Sequence, residues 1–344
     1  MSGYRVAILG ATGAVGREML KTLIARNFPL QSLVLLASER SAGQVITHGD
    51  QSWAVQAASP DVFGEVDIVL SSAGGEISEA WAPAILASGC VMIDNTSVFR
   101  MRPDVPLVVP EVNPHALDNH QGLIANPNCS TAPLVVVLHA LRQLAPIERV
   151  VVSTYQSVSG AGKEAMDELR AQTADVLAGG VPMPQHLRHP IAFNLIPAID
   201  SFTENGYTKE ELKVTNESRK ILEDPTLRVT ATAVRVPVLV CHSESVNIEF
   251  AHPVSVESAV ETLRRAPGIT IQDDPKCFEY PFPVDVAGMD DTYVGRIRAD
   301  ISHPHGLNLW LVSDNLRKGA ALNAVQIAET MHARGLIRPC VTVS

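Results

Sequence analysis

Asn126-Pro127-Asn128-Cys129-Ser130-Thr131 is the segment in which residue types and spacing first suggest chemistry. Cys129 stands where a loop gives way to an apolar helical run, with Ser130 or Thr131 placed to cap that helix and Pro133 where a first turn tolerates it. The positive end of a helix stabilises a thiolate, which makes a cysteine there a nucleophile at neutral pH. The Asn128 amide and the cysteine's own N–H are donors for an oxyanion forming beside the sulfur. A buried structural cysteine is the alternative that the residues alone leave open. Cys90, Cys241, Cys277 and Cys340 are expected to be structural.

A second motif, Gly10-Ala11-Thr12-Gly13-Ala14-Val15-Gly16, lies between a buried-strand run and a helical pattern. Glycines there allow a tight turn and close approach of backbone to a pyrophosphate at a helix N-terminus. The cofactor's 2′-position is read after the next strand, at Ser38-Glu39-Arg40-Ser41. Glu39 suits NAD, whereas Arg40 between two serines suits the 2′-phosphate of NADP, which is the expectation here; a solvated loop is the bland alternative.

A thiol nucleophile with a nicotinamide cofactor implies aldehyde oxidation, or its reverse, through a thioester. The general acid/base is expected at His242, in Arg235-Val-Pro-Val-Leu-Val-Cys-His242. On a regular strand Arg235 and His242 would point to opposite faces, so both line one site only if the strand breaks, as Pro237 permits. Glu210 and Lys213 share a helix face, able to meet an ammonium and an anion or simply to form an exposed ion pair. Arg100 follows a strand at the sheet edge where α/β proteins bind ligands, although a surface arginine is as plain a reading. His186, His189, His303 and His305 lack partners at ligand spacing, and no metal is expected.

The elements that must position these residues form two groups. Strand runs Tyr4–Leu9, Leu33–Ala37, Val66–Ser71, Cys90–Ile93 and Leu107–Val109 alternate with helical patterns over Ala14–Arg26 and Ile77–Ala87, which predicts a parallel, doubly wound sheet. After the cysteine, helices over Ala132–Leu144 and Lys163–Leu177 accompany longer, alternating strands: Arg149–Tyr155, Arg228–Val240, Ser245–Phe250, Thr292–Ile301 and Leu307–Val312. These predict a largely antiparallel sheet with one covered face. A last helical pattern, Ala320–Arg334, fits against either group.

With 344 residues and 46% apolar content, two domains with real cores are expected. A net charge of −10 leaves no generic nucleic-acid footprint, so anions must be met by locally placed cations. The apolar run Leu134–Leu138 is too short to span a bilayer, and the N-terminus runs into a strand without the pattern of a cleaved leader. Five scattered cysteines without CxxC suggest reduced thiols and a cytoplasmic location.

Taken together, VAILGATGAVG, LASERSAG, IDNTSVFRM, ANPNCST, STYQSVSGAG, KEELKVTNESRKIL, VRVPVLVCHSES and VSDNLRKGAALNAVQIAE resemble the aspartate-semialdehyde dehydrogenases, in the branch common among Gram-positive and many other bacteria. The likeness runs over nearly the whole chain. It implies a Rossmann-type NADP-binding domain over 1–128 and an α+β catalytic and dimerisation domain of the glyceraldehyde-3-phosphate-dehydrogenase-like type over 129–318. A C-terminal helix over about 319–344 would return to the first domain. It implies an oxidoreductase of amino-acid biosynthesis that reduces L-aspartyl 4-phosphate to L-aspartate 4-semialdehyde with NADPH and releases phosphate, on the route to lysine (through diaminopimelate), threonine, methionine and isoleucine. By the same resemblance Cys129 is the nucleophile, His242 the acid/base, Gln156 the residue orienting substrate and Asn128 the oxyanion donor. Arg235 matches the carboxylate clamp, Glu210 the partner of the ammonium, and Arg100 with Lys213 the phosphate pair. Gly10, Thr12, Gly13, Ala14, Val15, Gly16, Ser38, Arg40, Ser41, Ser159, Gly160 and Asn315 match cofactor contacts, and a homodimer is implied. The Gly179–Pro190 loop is shorter than in some relatives. N-acetyl-γ-glutamyl-phosphate reductase, which shares the thioester chemistry but has no ammonium for Glu210, and a catalytically silent paralogue are the competing readings.

Overall fold

Residues 3–337 are described by a computed structural model. The chain divides into two compact units, one built from the chain up to Pro127 and from Ala320 onward, the other Asn128–Gly319.

The first unit opens with β1 (Tyr4–Leu9), α1 (Ala14–Ala25) and β2 (Leu30–Ala37), continues through a hairpin of β3 (Val45–His48) and β4 (Gln51–Ala57), a one-turn α2 (Pro60–Phe63), β5 (Ile68–Ser71), α3 (Gly75–Ala87) and β6 (Val91–Asp94), and adds β7 (Leu123–Ala125). The seven strands lie in the order β3-β4-β2-β1-β5-β6-β7, parallel except for the β3–β4 hairpin. Val6, Ala7, Ile8 and Leu9 are all buried, as a central parallel strand covered on both faces requires. The predicted strand Leu107–Val109 reduces to a single bridge from Leu107 to Ala125, and β7 takes the edge position. The β3–β4 hairpin was not anticipated. Its signal is the two-residue Gly49-Asp50 turn between paired His48 and Gln51, with Gly49 at φ +58°.

The second unit contains α4 (Thr131–Leu141), β8 (Ile147–Gln156), α5 (Lys163–Leu177), α6 (Lys209–Ile221), β9 (Arg228–Arg235), β10 (His242–Phe250), α7 (Val256–Arg265), β11 (Ile269–Ile271), a one-turn α8 (Pro283–Val286), β12 (Thr292–Ala299) and β13 (Gly306–Ser313). Its sheet order is β11-β12-β13-β10-β8-β9. Three neighbouring pairs are antiparallel, but β8–β9 and β11–β12 are parallel, so the sheet is mixed rather than largely antiparallel. The reason lies in the connection: β8 reaches β9 through α5, a long loop and α6, a crossover that returns the chain in the same direction. On β8, Val150, Val152, Thr154 and Gln156 point inward, while Arg149, Val151, Ser153 and Tyr155 stay half-buried on the other face.

A capping box between Thr208 and Glu211 starts α6. The predicted strand Arg228–Val240 stops at Arg235, and a new strand begins at His242. The intervening segment hydrogen-bonds to the 156–159 stretch through Val236 N–H to Gln156 C=O and Val158 N–H to Val238 C=O.

The chain finally returns to the first unit as α9 (Leu322–Ala333), which buries Val325, Ile327, Ala328 and Met331 in that unit's core and donates Asn323 Nδ2 to Val108 C=O at 2.9 Å. The part of the predicted C-terminal helix beyond Ile337, with Cys340, lies outside the described residues.

Candidate functional site

In the first unit the strand order reverses between β1 and β5, and a cavity of about 430 Å³ opens there at the carboxyl ends of the strands. Its walls include Gly10, Thr12 and Gly13 from the β1–α1 turn, Ser38 and Glu39 after β2, and Ser72 and Ala73 after β5. Gly10 sits at φ +89°, and a Cβ on it would lie 2.8 Å from the Ala73 backbone nitrogen. A Cβ on Gly16 would come closer still, to the Gly10 carbonyl oxygen, so glycine is required at both ends of the turn. Ala14, Val15 and Gly16 form the first turn of α1, and a helix N-terminus favours an anion. This cradle fits a dinucleotide pyrophosphate. Arg40 and Ser41 lie on a short 3₁₀ turn beyond the cavity wall, and Glu39, which sequence reasoning did not favour, is the residue that lines it.

In the second unit, Cys129 stands two residues before α4, is half-buried and is in no disulfide among the described residues. The anticipated cap is not made: Ser130 is already helical at φ −88°, ψ −29°, and neither its hydroxyl nor that of Thr131 has a hydrogen-bond partner. Asn128 does the work instead. Its Oδ1 accepts from Ser130 N–H at 2.9 Å and its carbonyl from Ala132 N–H at 3.0 Å. Behind the cysteine, a Cβ on residue 319 would lie 2.7 Å from Cys129 Cβ, which explains Gly319.

The ends of three neighbouring strands supply the rest. Gln156 and Arg235 are direct register partners at the ends of β8 and β9, and His242 begins β10 on the other side of β8. The demand that the strand break between Arg235 and His242 is therefore met, and both side chains come together. A Cβ on Gly160 would stand 3.1 Å from Arg235 Nη1 and 3.2 Å from His242 Nε2. His242 is 1% exposed. Its Nδ1 accepts from Ser157 N–H at 3.1 Å, which leaves the proton of the neutral ring on Nε2, an atom with no partner. Burial, with help from the Arg235 charge and against that of Glu210, pushes His242 down to about 3. Burial also lowers Arg235, while attraction to Cys129 and Glu210 opposes it.

Glu210, 6% exposed, joins several of these groups. Its carboxylate accepts from Asn128 Nδ2 at 2.8 Å, Gln156 Nε2 at 3.3 Å and Lys213 Nζ at 3.1 Å. Burial pushes this carboxyl up, but Lys213 and the amides outweigh it and hold it below the usual range. Lys213 also donates to Asp200 at 2.9 Å, and its ammonium is raised despite burial. The helical pair is thus a half-buried junction, with Glu210 buried and Lys213 partly exposed, rather than a free surface bridge. Glu217, two turns further along α6, was missed; its Oε2 accepts Asn128 N–H at 2.6 Å, and its i+7 spacing from Glu210 is the signal that could have found it.

Ser159, Gly160 and Asn315 lie around His242 in this same unit. Arg100 belongs to the first unit, where it is buried and donates to Asn95 C=O at 2.7 Å. Among the described residues no group of His, Cys, Asp and Glu is arranged to hold a metal ion, and no helix is long and apolar enough to cross a membrane.

A nucleotide cleft on a parallel sheet, followed by a sheet domain presenting a cysteine just ahead of a helix, is the build of the semialdehyde dehydrogenases. Their models match here, "semialdehyde dehydrogenase, NAD binding domain" over residues 5–120 and "semialdehyde dehydrogenase, dimerisation domain" over 138–318. An aspartate-semialdehyde dehydrogenase of a Synechocystis strain is 54% identical over 97% of this chain and 99% of its own length. The structure of Vibrio cholerae aspartate semialdehyde dehydrogenase II complexed with ASA superposes with TM-score 0.94 at 48% identity, covering 97% of this chain and 99% of that one. The Candida albicans enzyme with NADP gives TM-score 0.76 at 26% identity, covering 98% and 100%. The chain belongs to the aspartate-semialdehyde dehydrogenase family. The expected affinity to a Gram-positive branch is not borne out, since cyanobacterial and Vibrio proteins match at such identity. Neither competing reading finds support in these relatives.

Proposed function

We propose that the chain performs the NADPH-dependent reductive dephosphorylation of L-aspartyl 4-phosphate to L-aspartate 4-semialdehyde through a thioester on Cys129. The observation that carries the reading is the shared neighbourhood in one unit of Cys129 at a helix N-terminus, the Arg235 guanidinium attracted to it, and a buried His242 with its Nε2 proton undirected to any protein partner.

The Cys129 sulfur bonds to the acyl carbon, and phosphate leaves with the electrons of the broken C–O bond. A bound reduced nicotinamide supplies the hydride to the carbonyl carbon. His242 Nε2–H donates to the oxygen as negative charge grows there; as the carbonyl re-forms, that proton returns to His242 Nε2 and the Cys129 sulfur leaves as thiolate. Asn128 Nδ2 has a second hydrogen beyond the one given to Glu210, available to the same oxygen. Arg235 holds the substrate carboxylate in a planar fork, and Glu210 faces its ammonium. Lys213 and Arg100 meet phosphate. Splitting the reduction into acylation and hydride transfer replaces one difficult step with two easier ones.

NADP is the cofactor of this reading, with Thr12 to Gly16 on the pyrophosphate and Arg40 and Ser41 turning to the 2′-phosphate; the Candida relative named with NADP supports it. Glu39 in the cavity wall is the specific observation for NAD as a second reading. A homodimer goes with it too: one face of the second unit's sheet carries half-buried Tyr155, Tyr293 and Trp310, and the matching family model is a dimerisation domain. A cytoplasmic location suits a reactive thiol of this kind.

The test is to follow NADPH formation from L-aspartate 4-semialdehyde with NADP+ and phosphate, against NAD+ and phosphate-free controls. Growth of absorbance only with phosphate and NADP+ is expected, and Cys129→Ala removes it by ~10⁴-fold or more while leaving NADP+ binding intact. Near-normal turnover by Cys129→Ala would sink the thioester route.

A further inference from the structure

Asn315 carries an unusual load for a residue matched only to cofactor contact. Its side-chain oxygen accepts three bonds, from Cys241 N–H at 2.9 Å, Ser159 Oγ at 3.0 Å and Ser157 Oγ at 3.1 Å. All four residues are buried, Asn315 itself being 2% exposed. Each donor bears on His242. Cys241 is the preceding residue and sits at φ +74°, a left-handed conformation that costs a side-chain-bearing residue ~1–2 kcal/mol and persists only when it is held. The bond from Cys241 N–H to Asn315 is what holds it.

Ser157 touches the imidazole twice, with its N–H and its hydroxyl oxygen each 3.1 Å from Nδ1. The Ser157 hydroxyl also lies 3.1 Å from Asn315 Oδ1 and 3.0 Å from Ser159 Oγ, so Asn315 anchors the residue whose backbone N–H holds Nδ1. The backbone N–H, a donor only, puts the ring proton on Nε2, the atom that has to deliver it. Without Asn315 both Ser157 and the turn into β10 lose their shared anchor.

We propose that Asn315 is a positioning residue for His242, acting through Ser157 and the Cys241 backbone. The proposal rests on the acid role given to His242 above. It deepens the assignment of Asn315, whose Nδ2 still has its hydrogens to offer a cofactor.

The test compares wild type, Asn315→Ala, Asn315→Asp, Ser157→Ala and the Asn315→Ala/Ser157→Ala pair. NADP+ binding is measured by titration, and kcat and KM by phosphate-dependent turnover of the semialdehyde. Asn315→Ala is expected to lower kcat roughly 10- to 100-fold, part of the range that acid/base catalysis supplies, with KM for the semialdehyde within about twofold. Asn315→Asp keeps the accepting oxygen and recovers most of that loss, and the double variant is no slower than Asn315→Ala alone. A weakened NADP+ affinity with unchanged kcat makes Asn315 a cofactor contact only and overturns the proposal. So does an Asn315→Asp enzyme as slow as Asn315→Ala, or losses that multiply in the double variant. If Asn315→Ala does not fold, Asn315→Asp against Ser157→Ala decides: a slow Asp variant beside an unaffected Ser157→Ala removes the link. Wild type without phosphate-dependent turnover would reject the function itself, a result distinct from all of these.

Discussion

At the scale of single residues, burial sets the protonation states that matter, and it acts in opposite directions on a base and an acid. His242 is driven down to about 3, so its ring is neutral across the working range and carries its proton on Nε2. The unfolded chain takes up a proton on this histidine below its ordinary value of 6.5, while the folded protein does so only near 3, so folding stability from this group is present above 6.5 and is lost as pH falls between those values. A profile of kcat/KM from pH 5.5 to 8 is expected to show no inflection near 6.5 from His242; one that disappears in His242→Gln would contradict the assigned state. Glu244, two residues on and also 1% exposed, has no hydrogen-bond partner on either oxygen. Burial raises it well above 4.5, so it is folded in as a neutral acid. The unfolded chain ionises this group above 4.5 and the folded one does not, so stability falls as pH rises from there. Glu244→Gln keeps shape and neutrality; its melting temperature should exceed wild type at pH 8, by roughly 2–4 °C per kcal/mol recovered, and match it near pH 4.5. Equal melting curves at both pH values would mean that Glu244 is charged and paired.

At the scale of elements, the site is a junction of ends: the start of α4, the ends of β8 and β9, the start of β10 and the first turn of α6. Such a junction needs close backbone approach. Gly319 is the tightest point, and Gly319→Ala should push Cys129 out of line, slowing both turnover and alkylation of the thiol by iodoacetamide at least about tenfold. Unchanged alkylation would place the strain elsewhere. The cap of α4 is a parallel case: Asn128→Ala removes the bond from Ser130 N–H and is expected to cost about 1 kcal/mol in chemical unfolding, whereas Ser130→Ala and Thr131→Ala, whose hydroxyls have no partners, cost less.

At the scale of the molecule, two separately built sheets divide the labour. The first unit's sheet is covered on both faces and ends in the nucleotide cleft; the second keeps one face for packing α4, α6 and α7 and leaves the other with half-buried aromatics such as Tyr155 and Trp310, whose rings lie 5.4 Å apart. Trp310 packs partly against the cluster of Cys241, Val286 and Val312 and donates its Nε1–H to Pro281 C=O at 3.1 Å, yet apolar surface on this face stays open to a partner. Trp310→Glu is therefore expected to yield monomers in sedimentation velocity at micromolar concentration where wild type sediments as a dimer; a dimer that survives the change would place the interface on another surface.

Much of this was legible in the chain because it is local. Strand–glycine–helix spacing around Gly10–Gly16 needs only near neighbours, as does the placement of Cys129 before an apolar helix and of Glu210 with Lys213 on one helix face. The parallel pairing of β8 with β9 and of β11 with β12, the hairpin at Gly49-Asp50 and the residue that caps α4 were not read. Each depends on where a partner lies or on which of several adjacent polar side chains reaches a backbone group. The pairing of Gln156 with Arg235, the meeting of Arg235 and His242 across a broken strand, and the convergence of Ser157, Ser159 and Cys241 on Asn315 are long-range. They join residues up to 158 positions apart. Residue type and periodicity determine which chemistry is available and which face a side chain takes. Only the packed sheet decides which buried groups meet, and therefore which proton, on which nitrogen, is there to be given.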